Sequence, residues 1–146
     1  MPVLALSVDV DAPAEATWAA AVDWASQGDW MLGTRVRPIG DGQGVGARLE
    51  AFTGIGPIGF LDTMEITLWQ PPRACHVVHT GHVVRGTGAF EVEPRGDSRS
   101  RFHWREDLDL PLGVVGRIGW LLVRPFFAYG VRLSLRRFAR SVATGR

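Results

Sequence analysis

The stretch FLDTMEITLWQPPRACHVVHTGHVVRGTGAFEVE, Phe60 to Glu93, carries the pattern that sets the fold. Its first part alternates. Met64, Ile66 and Leu68 fall on one face of an extended chain, and Thr63, Glu65 and Thr67 on the other. Pro71–Pro72 then turns the chain, because proline cannot donate to a sheet ladder. The segment from Ala74 to Glu93 reads as one strand bent near Gly81, or as two strands joined there. In its second half Phe90 and Val92 mark the buried face. His82, Val84, Gly86 and Gly88 share that face, while Arg85, Thr87, Glu91 and Glu93 point outward. A sheet covered on one face only is the signature of antiparallel pairing.

Upstream, VLALSVDVD places Leu4, Leu6, Val8 and Val10 in period two, a half-buried strand. DAPAEATWAAAVD opens a helix, with Pro13 in its first turn and Glu15 near the positive end of its dipole. Trp18, Ala21 and Val22 form its buried side, and WASQGDWML is a second short helix. TRVRPI and ARLEAF are strands joined by GDGQGVGA, and GIGPIG is a further loop. Downstream, SRFHWREDLDL is another strand, and one long helix runs from Leu112 to about Val142. The order is strand, two short helices, five or six antiparallel strands and a long helix. That is an α+β fold, in which a curved sheet closed by one helix leaves a cavity between its layers. A chain of 146 residues forms this as a single domain over 1–146.

Composition excludes several chemistries. All 16 basic side chains are arginine, so neither a Schiff-base lysine nor a P-loop lysine exists. Cys75 is the sole cysteine, which rules out an internal disulfide and a multi-cysteine zinc site. A net charge of +1 gives no global field for nucleic acid. The glycines of GDGQGVGA lack a βαβ setting and a following GK[ST], so they form a hairpin loop and no nucleotide cradle. No serine sits in a G-x-S-x-G elbow. His76, His79 and His82 are evenly spaced, but a straight strand puts His76 and His82 on one face and His79 on the other, and a bend at Gly81 leaves that parity open. No H-E-x-x-H or carboxylate triad accompanies them, so no metal is expected, and no cofactor is implied. The start, MPVLALSVDVDAP, has neither the basic nor the long apolar region of a signal peptide, and a cytoplasmic setting is expected.

LPLGVVGRIGWLLVRPFFAYGVRL, Leu110 to Leu133, is strongly apolar but interrupted by Arg117, Arg124 and Arg132. A buried helix with an arginine edge is the primary expectation, and contact with a membrane surface the secondary one. Arg132, Arg136, Arg137 and Arg140 read as a solvated helix end, or more sharply as a site for an anionic partner or phospholipid headgroup.

The segments DVDAPAEATWAAAVDWASQGDWM, MEITLWQPPRACHVVHTG and GTGAFEVEP…RFHWREDLDLPLG together resemble the polyketide cyclase/dehydrase branch of the START-like (SRPBCC, helix-grip) superfamily. The resemblance covers essentially the whole chain. It implies a seven-stranded antiparallel sheet gripping a C-terminal helix around a hydrophobic cavity, and the binding of a small hydrophobic molecule. It implies no particular reaction, since such proteins include cyclases, hydrolases and carriers.

Within that frame Phe102, Trp104 and Leu108 mark the inner face of their strand and bring Glu106 inside with them. A carboxyl among aromatic side chains has a raised pKa, suited to a general acid or base, and Glu106 with His82 forms the candidate catalytic pair. The alternative is that Glu106, near the strand end, caps the last helix or pairs with an arginine. The expected cavity wall takes Trp30 and Phe52 from the first half, Met64, Ile66, Val84, Phe90 and Trp104 from the sheet, and Ile118, Leu122 and Tyr129 from the helix. These come from a wider set that includes Phe60, Trp120 and Phe126.

Overall fold

In a computed structural model, which describes residues 3–55, 58–81, 84–109 and 113–143, seven strands form one antiparallel sheet. The chain opens with β1 (Val3–Val10), α1 (Ala14–Ala21) and a 3-10 helix (Trp24–Asp29). Then come β2 (Thr34–Ile39), β3 (Arg48–Ile55), β4 (Ile58–Gln70), β5 (Ala74–Thr80), β6 (Arg85–Pro94) and β7 (Ser100–Leu108). The last element is α2 (Gly113–Ala143), 31 residues long. The strand order β1-β7-β6-β5-β4-β3-β2 is a run of hairpins, closed when β1 joins the outer side of β7.

Local chemistry explains the junctions. The Pro13 carbonyl accepts the amides of Ala16 and Thr17, each at 3.1 Å, which starts α1. Gly42, at φ 68°, holds the β2–β3 connection against Trp24. A Cβ there would stand 2.7 Å from both Pro38 and the indole, and the Trp24 Nε1–H donates to the Gly42 carbonyl at 2.8 Å. At Gly81 the two-strand alternative is the one that forms. β5 ends at Thr80, β6 starts at Arg85, and those two residues pair. The reversal resets the parity: Cys75, Val77 and His79 face the interior from β5, opposite Phe90, Gly88 and Gly86 of β6. His79 is therefore an interior residue, contrary to its place on a straight strand.

The core is an aromatic cluster between sheet and helix. Phe102 and Phe138 are buried with ring centres 4.7 Å apart, and Trp30 lies 4.8 Å from Phe138. From α2, Val131, Ser134, Leu135 and Phe138 are buried. Ser134 Oγ donates to the Gly130 carbonyl and accepts the Leu32 amide at 2.9 Å, pinning the loop before β2 to the helix. These contacts fix the helix rotation and correct one expectation. Ile118, Leu122 and Tyr129 point to solvent, 55%, 70% and 61% exposed. Apart from the edge of Arg117 and Arg124 the first half of α2 is apolar all round, so its own pattern does not fix the inner face. The anchored second half does so, and it turns Trp120 and Phe127 inward.

Candidate active site

Three titratable side chains meet on the concave face of the sheet. Asp62 comes from β4, His79 from β5 and Glu106 from β7. In the ladder Met64 stands opposite His79, so Asp62, two residues earlier on the same face, reaches the imidazole. Glu106 must cross a whole strand. Between β5 and β7 lies β6, where Gly86 pairs with His79 and Gly88 pairs with Glu106. A Cβ on Gly88 would sit 3.0 and 3.1 Å from the two oxygens of Glu106, and its absence lets the carboxylate lie over β6 toward the ring. The result is a linear array. His79 Nδ1 is 2.9 Å from Asp62 Oδ1, and His79 Nε2 is 2.8 Å from Glu106 Oε2.

With an acceptor at each nitrogen, the imidazole is best served by carrying both protons and donating one N–H to each carboxylate. Burial opposes that charge on a side chain only 3% exposed. The hydrogen bonds and charges of Asp62 and Glu106 together outweigh it, and the His79 pKa is raised to about 10. Burial lifts Glu106 above its ordinary value. His79 pulls it back, and the charges of Asp62 and Asp107 add to the rise. Asp62 Oδ1 and Glu106 Oε2 are taken by the ring. Among the described residues no donor engages the second oxygen of either carboxylate.

The array lies in the wall of a cavity of about 420 Å³, within the roughly 300–1,000 Å³ usual for small-molecule sites. Its lining is mostly aliphatic and aromatic, with Phe60 two residues from Asp62 on β4, Trp104 two residues from Glu106 on β7, and Trp120 and Phe127 from α2. Phe60 and Phe126 are also solvent-exposed and mark the mouth. Cys75 lines the cavity as a neutral thiol, its pKa pushed up to about 12 by burial. Gln27 lines it too, and its buried Oε1 has no partner among the described residues.

Of the residues expected at this site, Met64, Val84, Phe90, Trp104 and Glu106 line the cavity. Glu106 neither caps a helix nor meets an arginine; its partner is His79. Trp30 and Ile66 are buried in the packed core instead, because the aromatic cluster around Phe138 fills that end of the fold. Phe52 alternates with the cavity-lining Ala51 and Thr53 and so faces the other side of the sheet, under the Arg35 guanidinium at 5.6 Å. His82 lies outside the described residues. Asp62 and His79 were not expected. Asp62 had a legible signal, since it shares the parity of Met64 and Ile66; His79 had none until the hairpin fixed its face.

Residues 1–143 match the model of a family described as polyketide cyclase/dehydrase and lipid transport. No curated protein matches the sequence. Among solved structures, TTHA0849 of Thermus thermophilus is 15% identical with a TM-score of 0.82, covering 99% of each chain. The Zhui aromatase/cyclase of Streptomyces sp. R1128 is 16% identical with a TM-score of 0.74, covering 97% of this chain and 95% of its own. A norcoclaurine synthase point mutant of Thalictrum flavum, in complex with a transition-state analogue, is 17% identical with a TM-score of 0.67, covering 99% and 95%. At such identities the likeness is one of fold.

Proposed function

The chain belongs to the polyketide cyclase/dehydrase and lipid transport family, and from that premise we propose that its cavity binds a small hydrophobic molecule, aromatic, polyketide-like or lipid-like, and that the Asp62–His79–Glu106 array moves protons in its cyclisation or dehydration. The observation that carries this reading is a hydrogen-bonded acid–base array set in a largely apolar cavity. A buried charged cluster is costly to maintain, and perturbed titratable groups concentrate at functional sites.

Glu106 suits the working role. Burial brings its pKa closer to neutrality, as a general base requires, and one oxygen is open to the cavity. In a ring closure that oxygen takes the proton from a carbon beside a carbonyl. The enolate carbon bonds to a second carbonyl carbon, whose oxygen becomes an alkoxide and recovers the proton from Glu106. His79 is a positioning residue in this scheme. It orients the carboxyl and balances its charge before and after transfer. The cavity wall folds the flexible chain, and holding reacting groups together supplies several kcal/mol (about 7–11 in well-oriented cases). The test begins with native mass spectrometry of protein from its own host, to identify the bound molecule. With that molecule, Glu106→Gln is expected to bind but not turn over; unchanged turnover overturns the assignment.

A second reading, a non-catalytic carrier that collects its ligand at a lipid surface, is favoured by α2. Its first half exposes Val114, Val115, Ile118, Leu121, Leu122 and Phe126, which helical spacing puts on one face, and exposed apolar patches of this kind mark protein or membrane contact sites. By helical spacing Arg132 and Arg136 continue the same outward face, as an anionic surface would require. The helix is long and apolar enough to cross a membrane, with a mean hydropathy of 1.2 over an 18-residue window. Its second half is committed to the core, so spanning would take the fold apart, and lying on the surface would not. Co-sedimentation with vesicles of anionic lipid, lost in the Ile118→Glu/Leu122→Glu variant, is the expected result. No sedimentation of the unmodified protein excludes the carrier reading.

A further inference from the structure

Within the cavity-binding reading, and resting on it, we infer that the ligand carries a protonated amine, seated between the free oxygens of Asp62 and Glu106 and the aromatic faces beside them.

The charge count leads there. The cavity wall holds two carboxyl groups and one imidazole, and none of the described arginines lines it, although the chain has 16 basic residues, all arginine. His79 spends both ring N–H groups on the carboxylates and offers a ligand no further donor through its nitrogens. What the array presents to the cavity is acceptor only: Asp62 Oδ2 and Glu106 Oε1. Gln27 Oε1, buried and without a partner among the described residues, is a third acceptor in the same lining. With both carboxylates ionised and the imidazole protonated, the array carries one negative charge in excess. An anionic ligand would meet that excess in a medium of low dielectric, where like charges repel strongly. A neutral apolar ligand would leave it uncompensated. An ammonium group compensates it, and by its own charge holds Glu106 ionised.

The walls point the same way. Phe60 stands two residues from Asp62 on the same face of β4, and Trp104 two residues from Glu106 on the same face of β7, so an aromatic side chain shares the lining on each strand that carries a carboxylate. Trp120 and Phe127 close the space from α2, with the rings of Trp104 and Phe127 6.2 Å apart. Carboxylates sharing a cavity with aromatic rings suit an organic cation, because carboxylates and the faces of aromatic rings attract the same charge. The remaining volume is apolar and takes the hydrocarbon body of the molecule.

Three probes with one ring system separate the possibilities: 1-naphthylmethylamine, 1-naphthalenemethanol and 1-naphthoate, titrated calorimetrically into the full-length protein at pH 7. The amine is expected to bind about tenfold more tightly than the alcohol, a difference of about 1.4 kcal/mol, and the carboxylate more weakly than both. In Glu106→Gln the amine should lose that advantage while the alcohol binds as before, and Asp62→Asn should reduce it in the same direction. Equal binding of amine and alcohol, or tighter binding of naphthoate, overturns the amine assignment and leaves the cavity reading standing. Failure of all three probes, the neutral alcohol included, overturns both.

Discussion

His79 holds its proton far above the usual imidazole range. Its pKa of about 10 in the fold, against an ordinary value of 6.5, means that the folded state holds a proton the unfolded chain has released over that range. The corresponding stabilisation is complete below about pH 6.5 and is lost as pH rises toward 10. Glu106, also raised, works in the same direction from its ordinary 4.5 upward. The chain has no lysine, and Cys75, held near 12 in the fold against an ordinary 9, adds to the fall only above about pH 9. Urea midpoints measured from pH 6 to 10 are therefore expected to fall steadily. His79→Gln should be less stable at pH 7 by about 3 kcal/mol, because two part-buried carboxylates lose their counter-charge, and its profile from pH 7 to 9 should be shallower than that of the unmodified protein. A flat profile in the unmodified protein would show that His79 is not held in its charged form.

The two halves of α2 do different jobs, and substitutions should separate them. Phe138 is buried between Trp30 and Phe102, and truncation to alanine is expected to cost about 3–5 kcal/mol, read from denaturant unfolding. The Ile118→Glu/Leu122→Glu variant should keep its stability to within about 1 kcal/mol, since exposed positions away from special features change stability by about 0.5 kcal/mol each. A large loss there would mean that the outward face is packed. The same helix shows where sequence pattern fails. Its limits were legible to a residue or two, but its face was not, because the arginine edge of Arg117 and Arg124 pointed Ile118, Leu122 and Tyr129 inward, whereas the buried Ser134, Leu135 and Phe138 turn them out. The strands were legible for the opposite reason. Period-two alternation in β4, β6 and β7 assigns each side chain a face, and it placed Met64, Phe90, Trp104 and Glu106 on the cavity wall. It could not place His79, whose face depends on where β5 ends.

At the scale of the whole molecule, the order of elements and the glycine-rich bends announced a curved sheet closed on a long helix, and the family match with the fold likeness bears that architecture out. The cavity follows from an unequal division of labour. The Trp30–Phe102–Phe138 cluster fills one end, while Gly86 and Gly88 thin the sheet at the other, leaving room for a ligand and for a carboxylate to cross a strand. Everything functional rests on that space being available to an apolar molecule. The direct measurement is a fluorescence titration with the neutral probe N-phenyl-1-naphthylamine, comparing the unmodified protein with Val77→Trp, which fills the cavity, and Phe52→Ala, on the far face of the sheet. Saturable one-to-one binding that survives Phe52→Ala and is lost in Val77→Trp is expected; binding that Val77→Trp leaves unchanged would contradict the account.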